Sequence, residues 1–407
     1  MDIRPELVDE LLASTDDPKA LFGADGLLAS LTARLVERVT EAELDHHLRA
    51  EAEAGRKNTR NGRTKRRLLS SRGPLDVAMP RDRAATFEPK LVPKYLRRLP
   101  DFDEKVLLLY SRGLSTREIQ GHLKELYRTE VSAELISDVT DALVPLFQQW
   151  QARPLAPCYV VVFLDAIFAK VRTDGRVGTR ALVTALGVGL DGKKEVLGLW
   201  SLEAESAAAY AGVLTDLKAR GVEDVVVAAT DGLAEAAEAV AAVFPRADHQ
   251  HCLVHQMRSS LALVAQKDRK AVAASLKAIY GAATEGEAEL RLREAEGEWG
   301  ERYGAVFASW HRHWPSLVAF LRYPVGLRRV LYTTNAVEAV HRSFRRALKT
   351  RGALPNAMAA LKLCYAMAER LAKKWTRVLP NWPLLLNELL VRDPKRFEPF
   401  LARTQDS

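Results

Sequence analysis

Two apolar stretches constrain the fold of this chain more than any other feature: YVVVFLD, from Tyr159 to Asp165, and EDVVVAATDG, from Glu223 to Gly232. Each is a short β-branched run closed by an aspartate, the pattern of a strand buried on both faces whose polar end emerges at a sheet edge. TRALVTALGVGLDG, closed by an Asp-Gly turn, and KEVLGLWSLE read as two further strands between them. SAAAYAGVLTDLKARG and LAEAAEAVAAVF read as helices, so the order is β-β-β-α-β-α and the class is α/β. Three strands joined by short turns form an antiparallel meander, and the order allows the first and fourth strands to be neighbours.

The remainder divides around that core. Residues 1–55 hold an acidic amphipathic helix with Leu27, Leu31, Leu35 and Val39 at intervals of four, a candidate oligomerisation or docking helix. Residues 56–150 hold a basic arm, short strands and three helices, broken at Gly113, with Ser115 or Thr116 as N-cap, and near Thr129, with Ser132 as N-cap. That spacing suits a helix-turn-helix DNA reader and equally a plain three-helix packing unit. Pro154 and Pro157 mark a linker into the strands of 151–251; residues 252–332 read as an all-helical insertion, and 333–407 as a strong helix, capped near Thr334 or Asn335, with a C-terminal tail.

With 407 residues, 48% hydrophobic and 28% charged, the chain can bury the cores of two or three domains, which excludes disordered and fibrous classes. Its apolar runs stop short of the roughly 18 residues of a membrane span, and MDIRPELVDE lacks a secretory pattern, so a cytoplasmic protein is expected. Cys158, Cys252 and Cys364 form an odd, dispersed set, expected as reduced thiols.

Charge is distributed unevenly. Residues 1–55 carry 5 Lys/Arg against 13 Asp/Glu, whereas residues 56–100 carry 14 against 3. Arg56 to Arg72 reads as a phosphate-binding hairpin or arm, with Arg56, Lys57, Arg60, Arg63, Lys65, Arg66 and Arg67 as candidate DNA contacts whose affinity would be salt-sensitive and largely independent of sequence. A solvated basic loop is the plainer alternative. A second cluster runs from Arg322 to Arg351, where eight cations accompany one acid, Glu338.

Asp165 and Asp231 would lie side by side if their strands are neighbours, and paired carboxylates in a cleft call for a divalent cation. An all-oxygen set suits Mg²⁺ or Mn²⁺. Asn335, Glu338, Arg342, Arg345 and Lys349 share one helix face, while Val337, Val340, Phe344 and Leu348 form a stripe to be buried. Glu338 can then complete a two-metal site for in-line displacement at phosphorus while Arg342, Arg345, Lys349 and Arg351 hold backbone phosphates. The plainer alternatives are acids that merely end strands and a Glu338–Arg342 helix pair.

FLDAIFAKVR, LDGKKEVLG, TDGLAEAAEAVAAVFP, HCLVHQMRSSL and above all RYPVGLRRVLYTTNAVEAVHRSFRRALKTRG resemble bacterial insertion-sequence transposases of the Mutator type, over about residues 25 to 400. The resemblance implies a ribonuclease-H-like core with Asp165, Asp231 and Glu338 as metal-binding catalytic acids, spaced by 66 and 107 residues. It implies two Mg²⁺ or Mn²⁺ ions per site, nicking at terminal inverted repeats, and attack of the freed 3′-hydroxyl on target DNA. It also implies a homodimer or higher oligomer. Cys252 and His255 match a family motif of supporting role, as does Asn335; two ligands alone make a zinc site the lesser reading. DHQH departs from the family wording, so Asp248 and His249 receive no role. Trp299, Trp310 and Trp314 are expected in the core rather than against bases. Alternatives are a catalytically inactive DNA-binding protein or repressor, and a nuclease without strand transfer.

Overall fold

The computed structural model of the chain describes all but residues 1–3, 14–20, 22–25, 72, 128–129, 233, 333–334 and 406–407, and the side chains at 7, 11, 126–127, 335–337, 350 and 404–405 also fall outside it. Thr129, Thr334 and Arg72, and the side chains of Asn335 and Val337, therefore lie outside the described residues. The chain divides into two compact units, residues 1–142 and 143–407.

In the first unit, helices α1 (Pro5–Ala13) and α2 (Leu27–Glu53) precede a hairpin of β1 (Arg60–Ser70) and β2 (Gly73–Asp82). The strands pair antiparallel with Leu68 opposite Leu75 and Arg66 opposite Val77. Leu68, Leu75, Val77 and Met79 form a small core with Val92 and with Ala29 and Val36 of α2. The buried stripe of α2 is thus Ala29, Val36, Thr40 and Leu44, whereas Leu35 and Val39 of the expected stripe are 57% and 44% exposed. Electrostatics accounts for the rotation: the stripe beside the core brings Glu37, Glu41 and Asp45 to the hairpin, where Glu37 accepts a hydrogen bond from the Ala78 amide (2.8 Å) and the other two pair with Arg63 and Arg60. An apolar count along the helix cannot register that preference.

Helices α3 (Pro100–Ser111), α4 (Thr116–Tyr127) and α5 (Ala133–Asp141) follow, packed on one another through Phe102, Val106, Ile119, Leu123 and Ile136. Ser115 and Glu118 make a reciprocal capping box, the Ser115 amide donating to Glu118 Oε2 (2.7 Å) and the Glu118 amide to Ser115 Oγ (3.2 Å). Ser132 Oγ accepts from the Leu135 amide (3.1 Å) as the cap of α5.

The second unit opens with α6 (Leu143–Gln151) and is built on a mixed five-stranded sheet. Its elements run β3 (Cys158–Thr173), β4 (Arg176–Gly189), β5 (Lys194–Leu202), α7 (Ala207–Ala219), β6 (Asp224–Thr230), α8 (Ala234–Val243) and β7 (Asp248–His251). In space the strands are ordered β5-β4-β3-β6-β7. The first three form the expected antiparallel meander, and β6 lies parallel to both β3 and β7. One face packs Val162, Leu164, Val183 and Leu197 against Tyr210, Val213 and Leu217 of α7 and Ala236 and Val240 of α8.

Strand β7 has no apolar signal, because Gln250 is buried by bonding rather than by hydrophobicity: its Oε1 accepts from the Phe320 amide (2.7 Å) and its Nε2 donates to Leu317 O (3.1 Å). Helices α9 (Leu253–Ala262), α10 (Arg269–Tyr280), α11 (Glu285–Leu317) and α12 (Val325–Tyr332) make up the helical stretch. Trp310 is buried in it, its indole donating to Ser260 Oγ at 3.0 Å, and the Trp299 indole donates to Ser275 Oγ at 3.2 Å. Helix α13 (Asn335–Arg351) packs on β3 and α14 (Ala357–Ala372) on β3 and β5; α15 (Trp382–Arg392) and α16 (Pro394–Gln405) complete the chain. Val340, Phe344 and Leu348 are buried along α13. A buried fork of Arg396 on Asp224, at 2.7 and 2.8 Å, fastens α16 to the start of β6. All three cysteines are buried and none forms a disulfide among the described residues, and no helix among them is long and apolar enough to cross a membrane.

Candidate active site

The register of the parallel pair decides the position of the two aspartates. Phe163 of β3 stands opposite Ala229 of β6, so two residues farther on Asp165 and Asp231 reach the same level. Asp165 still belongs to β3, held on its other side opposite Thr184 of β4, while Asp231 directly follows the last residue of β6. The chain must turn at once: Gly232 has φ +92°, and a Cβ there would fall 2.0 Å from the ring of His251. Only glycine permits that conformation and that approach.

Asp165 and Asp231 line one cavity of about 10 Å³, at the lower edge of what admits a water molecule. Cys252 and His255 line it too. The Cys252 amide donates to Thr230 O (2.7 Å), so α9 begins against the end of β6 and His255, one turn along, reaches the aspartates. His255 Nδ1 is buried without a hydrogen-bond partner among the described residues. A thiol and an imidazole three residues apart thus belong to the carboxylate cavity, which explains their pattern without a separate zinc centre.

A residue that the sequence reading missed fixes Asp165. His341, wholly buried on α13, places Nδ1 at 3.1 Å from Asp165 Oδ2 and Nε2 at 3.2 Å from Thr184 Oγ1. The Asp165 contact is close but bent away from ideal alignment. Burial alone would raise the Asp165 carboxyl; the His341 imidazole beside it and the charges of His255 and Arg345 outweigh it and hold the group below its ordinary value. The signal was present, since His341 lies three residues after Glu338, but an apolar and charge count gives a lone histidine no weight.

Two further imidazoles pack beside the end of β6. Burial, then the charge of His313, lowers His251 to about 3 and His249 to about 4. His251 meets His313 edge to face at 4.7 Å, and His249 bridges Thr230 Oγ1 (2.8 Å) and Ser316 Oγ (3.1 Å). Asp248 instead anchors the helical stretch, accepting from the Tyr323 hydroxyl at 2.6 Å.

Glu338 lies in the first turn of α13, about a third exposed, with Arg342 Nη2 at 3.8 Å. It does not line the cavity of the aspartates, and among the described residues no three His, Cys, Asp or Glu side chains are gathered closely enough to hold a metal ion. The structure therefore joins Asp165 to Asp231 and ties the helix of Glu338 to them through His341. Two carboxylates lining one cavity, one of them ionised against burial, make an all-oxygen donor set of the kind that suits hard divalent cations.

The candidate cations divide in two. In the hairpin, Arg56 pairs with Glu51 (2.8 Å), Arg60 with Asp45 and Arg63 with Glu41, and the Arg66 guanidinium donates to the carbonyls of Pro93 and Leu96. Arg67 lies 3.9 Å from Asp76, while Lys57 and Lys65 are exposed with no ion pair among the described residues. On α13, Arg345 and Lys349 are exposed and likewise unpaired among the described residues, and Arg351 lies at its end.

Known proteins resemble this chain over most of its length. Residues 3–378 match the family described as Transposase, Mutator family. The chain is 46% identical over 400 residues to the transposase for insertion sequence element ISRM3 of Rhizobium meliloti, covering 98% of this chain and 100% of that protein. It is 45% identical, with the same coverage, to a probable transposase for an ISRM3-like element of Sinorhizobium fredii. A probable insertion-sequence transposase of Corynebacterium diphtheriae is 38% identical over 79% of this chain and 100% of that protein.

Proposed function

The chain belongs to the Mutator family of transposases, and we propose on that footing that it cuts and joins DNA at the ends of its insertion element through Asp165, Asp231 and Glu338. The observation that carries this reading is the cavity shared by Asp165, within β3, and Asp231, just past the end of the adjacent parallel strand β6. The strand order β5-β4-β3-β6-β7, with β4 alone antiparallel to both neighbours, supports a ribonuclease-H-like core. The domain division follows from it: an acidic helix and basic hairpin with three helices for DNA, and a catalytic sheet interrupted by helices.

Asp165 and Asp231 would hold the divalent cations, Mg²⁺ or Mn²⁺, and Glu338 would complete the set. Bound there, the ions would activate the attacking oxygen and stabilise the departing one. Hydrolysis breaks a phosphodiester and frees a 3′-hydroxyl; that hydroxyl then attacks a second phosphodiester, whose own 3′-oxygen leaves. His341 holds one oxygen of Asp165 so that the carboxylate keeps its direction during both steps. Arg342, Arg345, Lys349 and Arg351 present charge to the phosphates beside the acids. Lys57, Lys65 and Arg67 supply a second, sequence-independent hold on duplex DNA. A homodimer or larger assembly brings two ends together.

The test is to incubate the protein with its terminal DNA in Mg²⁺ or EDTA and sequence the products, comparing wild type with Glu338→Gln. Metal-dependent cleavage and joining, lost in the variant, is the expected result. End binding with no chemistry would replace this reading by a repressor, and cleavage with no joined product would replace it by a nuclease.

A further inference from the structure

Strand β3 outruns its parallel neighbour. Its pairing with β6 ends at Phe163, yet β3 continues to Thr173, so the edge beyond Asp165 has no strand beside it among the described residues except an isolated bridge from Val171 to Leu354. Leu354 is pinned there by two hydrogen bonds of 2.8 Å, its amide to Lys170 O and its carbonyl from the Arg172 amide. Between this edge and the last turns of α13 lies an open groove of about 460 Å³.

The composition of the groove is specific. Lys170, Arg345 and Lys349 line it, no carboxylate does, and Phe168 stands at its edge with 63% of its surface exposed. An exposed phenylalanine among cations is a poor design for solubility and a good one for a nucleobase, whose π-face stacks on an aromatic ring while its phosphate meets the charges. The volume is within the range of pockets that take a small-molecule-sized group, and a double helix would not enter it. The groove lies farther along the strand that carries Asp165, Phe168 being three residues beyond it, and the charge of Arg345 reaches that aspartate. Beyond Phe168 the β3–β4 ribbon adds Arg172 and Arg176 against one acid, Asp174.

We propose that this groove binds single-stranded DNA at the reacting end, with an unpaired base stacked on Phe168 and its flanking phosphates on Lys170, Arg345 and Lys349. The proposal rests on the DNA-cutting reading above and deepens it: the strand enters the site melted, as a few nucleotides freed from the duplex.

The test uses fluorescence anisotropy of the full chain with two terminal duplexes, one blunt and one ending in a three-nucleotide 3′ overhang, with 5-iodouracil in the overhang for photo-cross-linking. Wild type is expected to bind the overhang end roughly tenfold or more tightly, the worth of one stacked base, and to cross-link at Phe168. Phe168→Ala should lose that preference and keep blunt-end affinity, and Phe168→Trp should retain both. Because Phe168 is exposed, these variants leave the core untouched. An unchanged preference in Phe168→Ala, or a cross-link elsewhere in the chain, would overturn the groove alone. Failure to bind either DNA would overturn the DNA-cutting reading and the groove with it.

Discussion

Asp82, buried in the hairpin unit, and Asp165, half-buried in the sheet unit, are both held below the ordinary carboxyl value, yet their surroundings differ in kind. Burial alone would raise Asp82, but Asn58 Nδ2 (2.7 Å), Thr86 Oγ1 (2.8 Å) and the Thr86 amide (2.9 Å) all donate to one of its oxygens, and it sits at about 2. Those hydrogen-bond partners are neutral, with the His47 ring farther off at 3.8 Å, so the carboxylate serves the turn it closes. Asp165 is held by one buried imidazole and faces a second carboxylate across a cavity. Two carboxylates that line one cavity repel each other where both are ionised, a cost that a bound cation would offset. The basic residues repeat the contrast: Arg56, Arg60, Arg63 and Arg66 are engaged inside the hairpin unit, whereas Arg345 and Lys349 are exposed and make no ion pair among the described residues.

Substitutions test the contrast, beginning with the largest effect. Asp165→Asn should reduce DNA cutting by about 10³-fold or more, the equivalent of several kcal/mol of lost transition-state stabilisation, while end binding by gel shift stays intact; equal loss of both would erase the distinction from Asp82. His341→Leu should weaken divalent-cation binding and cutting by roughly 10- to 100-fold, read by calorimetry and product yield, with His341→Asn milder. A drop in melting temperature with unchanged cation affinity would make His341 a packing residue only.

Asp82 gives a comparable effect in a different observable. Its folded value of about 2 lies below the unfolded 3.8, so its stabilisation is fully present above the unfolded value and is lost as pH falls through about 2. Asp82→Ala should cost about 1–2 kcal/mol at neutral pH and flatten acid denaturation between those values; an unaltered acid profile would show the carboxylate to be idle. The smallest effect separates the cations of the hairpin. Arg60→Ala with Arg63→Ala should lower stability by about 0.2–1 kcal/mol per exposed pair and leave the salt slope of DNA binding unchanged. Replacing Lys57, Lys65 and Arg67 should flatten that slope by about one unit for each phosphate no longer neutralised. The reverse pattern would restore Arg60 and Arg63 to the DNA face.

The strands carrying Asp165 and Asp231 were legible because β-branched runs leave a pattern that no solvent-facing segment mimics. The buried stripe of α13 was legible through its period. Three elements were not: β7, whose Gln250 is buried by hydrogen bonds; the docking face of α2, set by Glu37, Glu41 and Asp45; and His341, whose partners Asp165 and Thr184 lie more than 150 residues away in sequence. Each depends on a polar pairing between distant segments, and pairings of that kind leave no local periodicity. The basic run from Arg56 marked a charged hairpin correctly, yet charge in a run does not say which guanidinium is already satisfied.

If Asp165 and Asp231 are kept together to hold a cation, the most direct measurement is Mn²⁺ binding, by electron paramagnetic resonance, to the protein assembled on its terminal DNA, with wild type beside Asp165→Asn and Asp231→Asn. Bound Mn²⁺ in wild type that disappears in either variant, with DNA still bound, is the predicted result; variants that retain wild-type Mn²⁺ binding would contradict it.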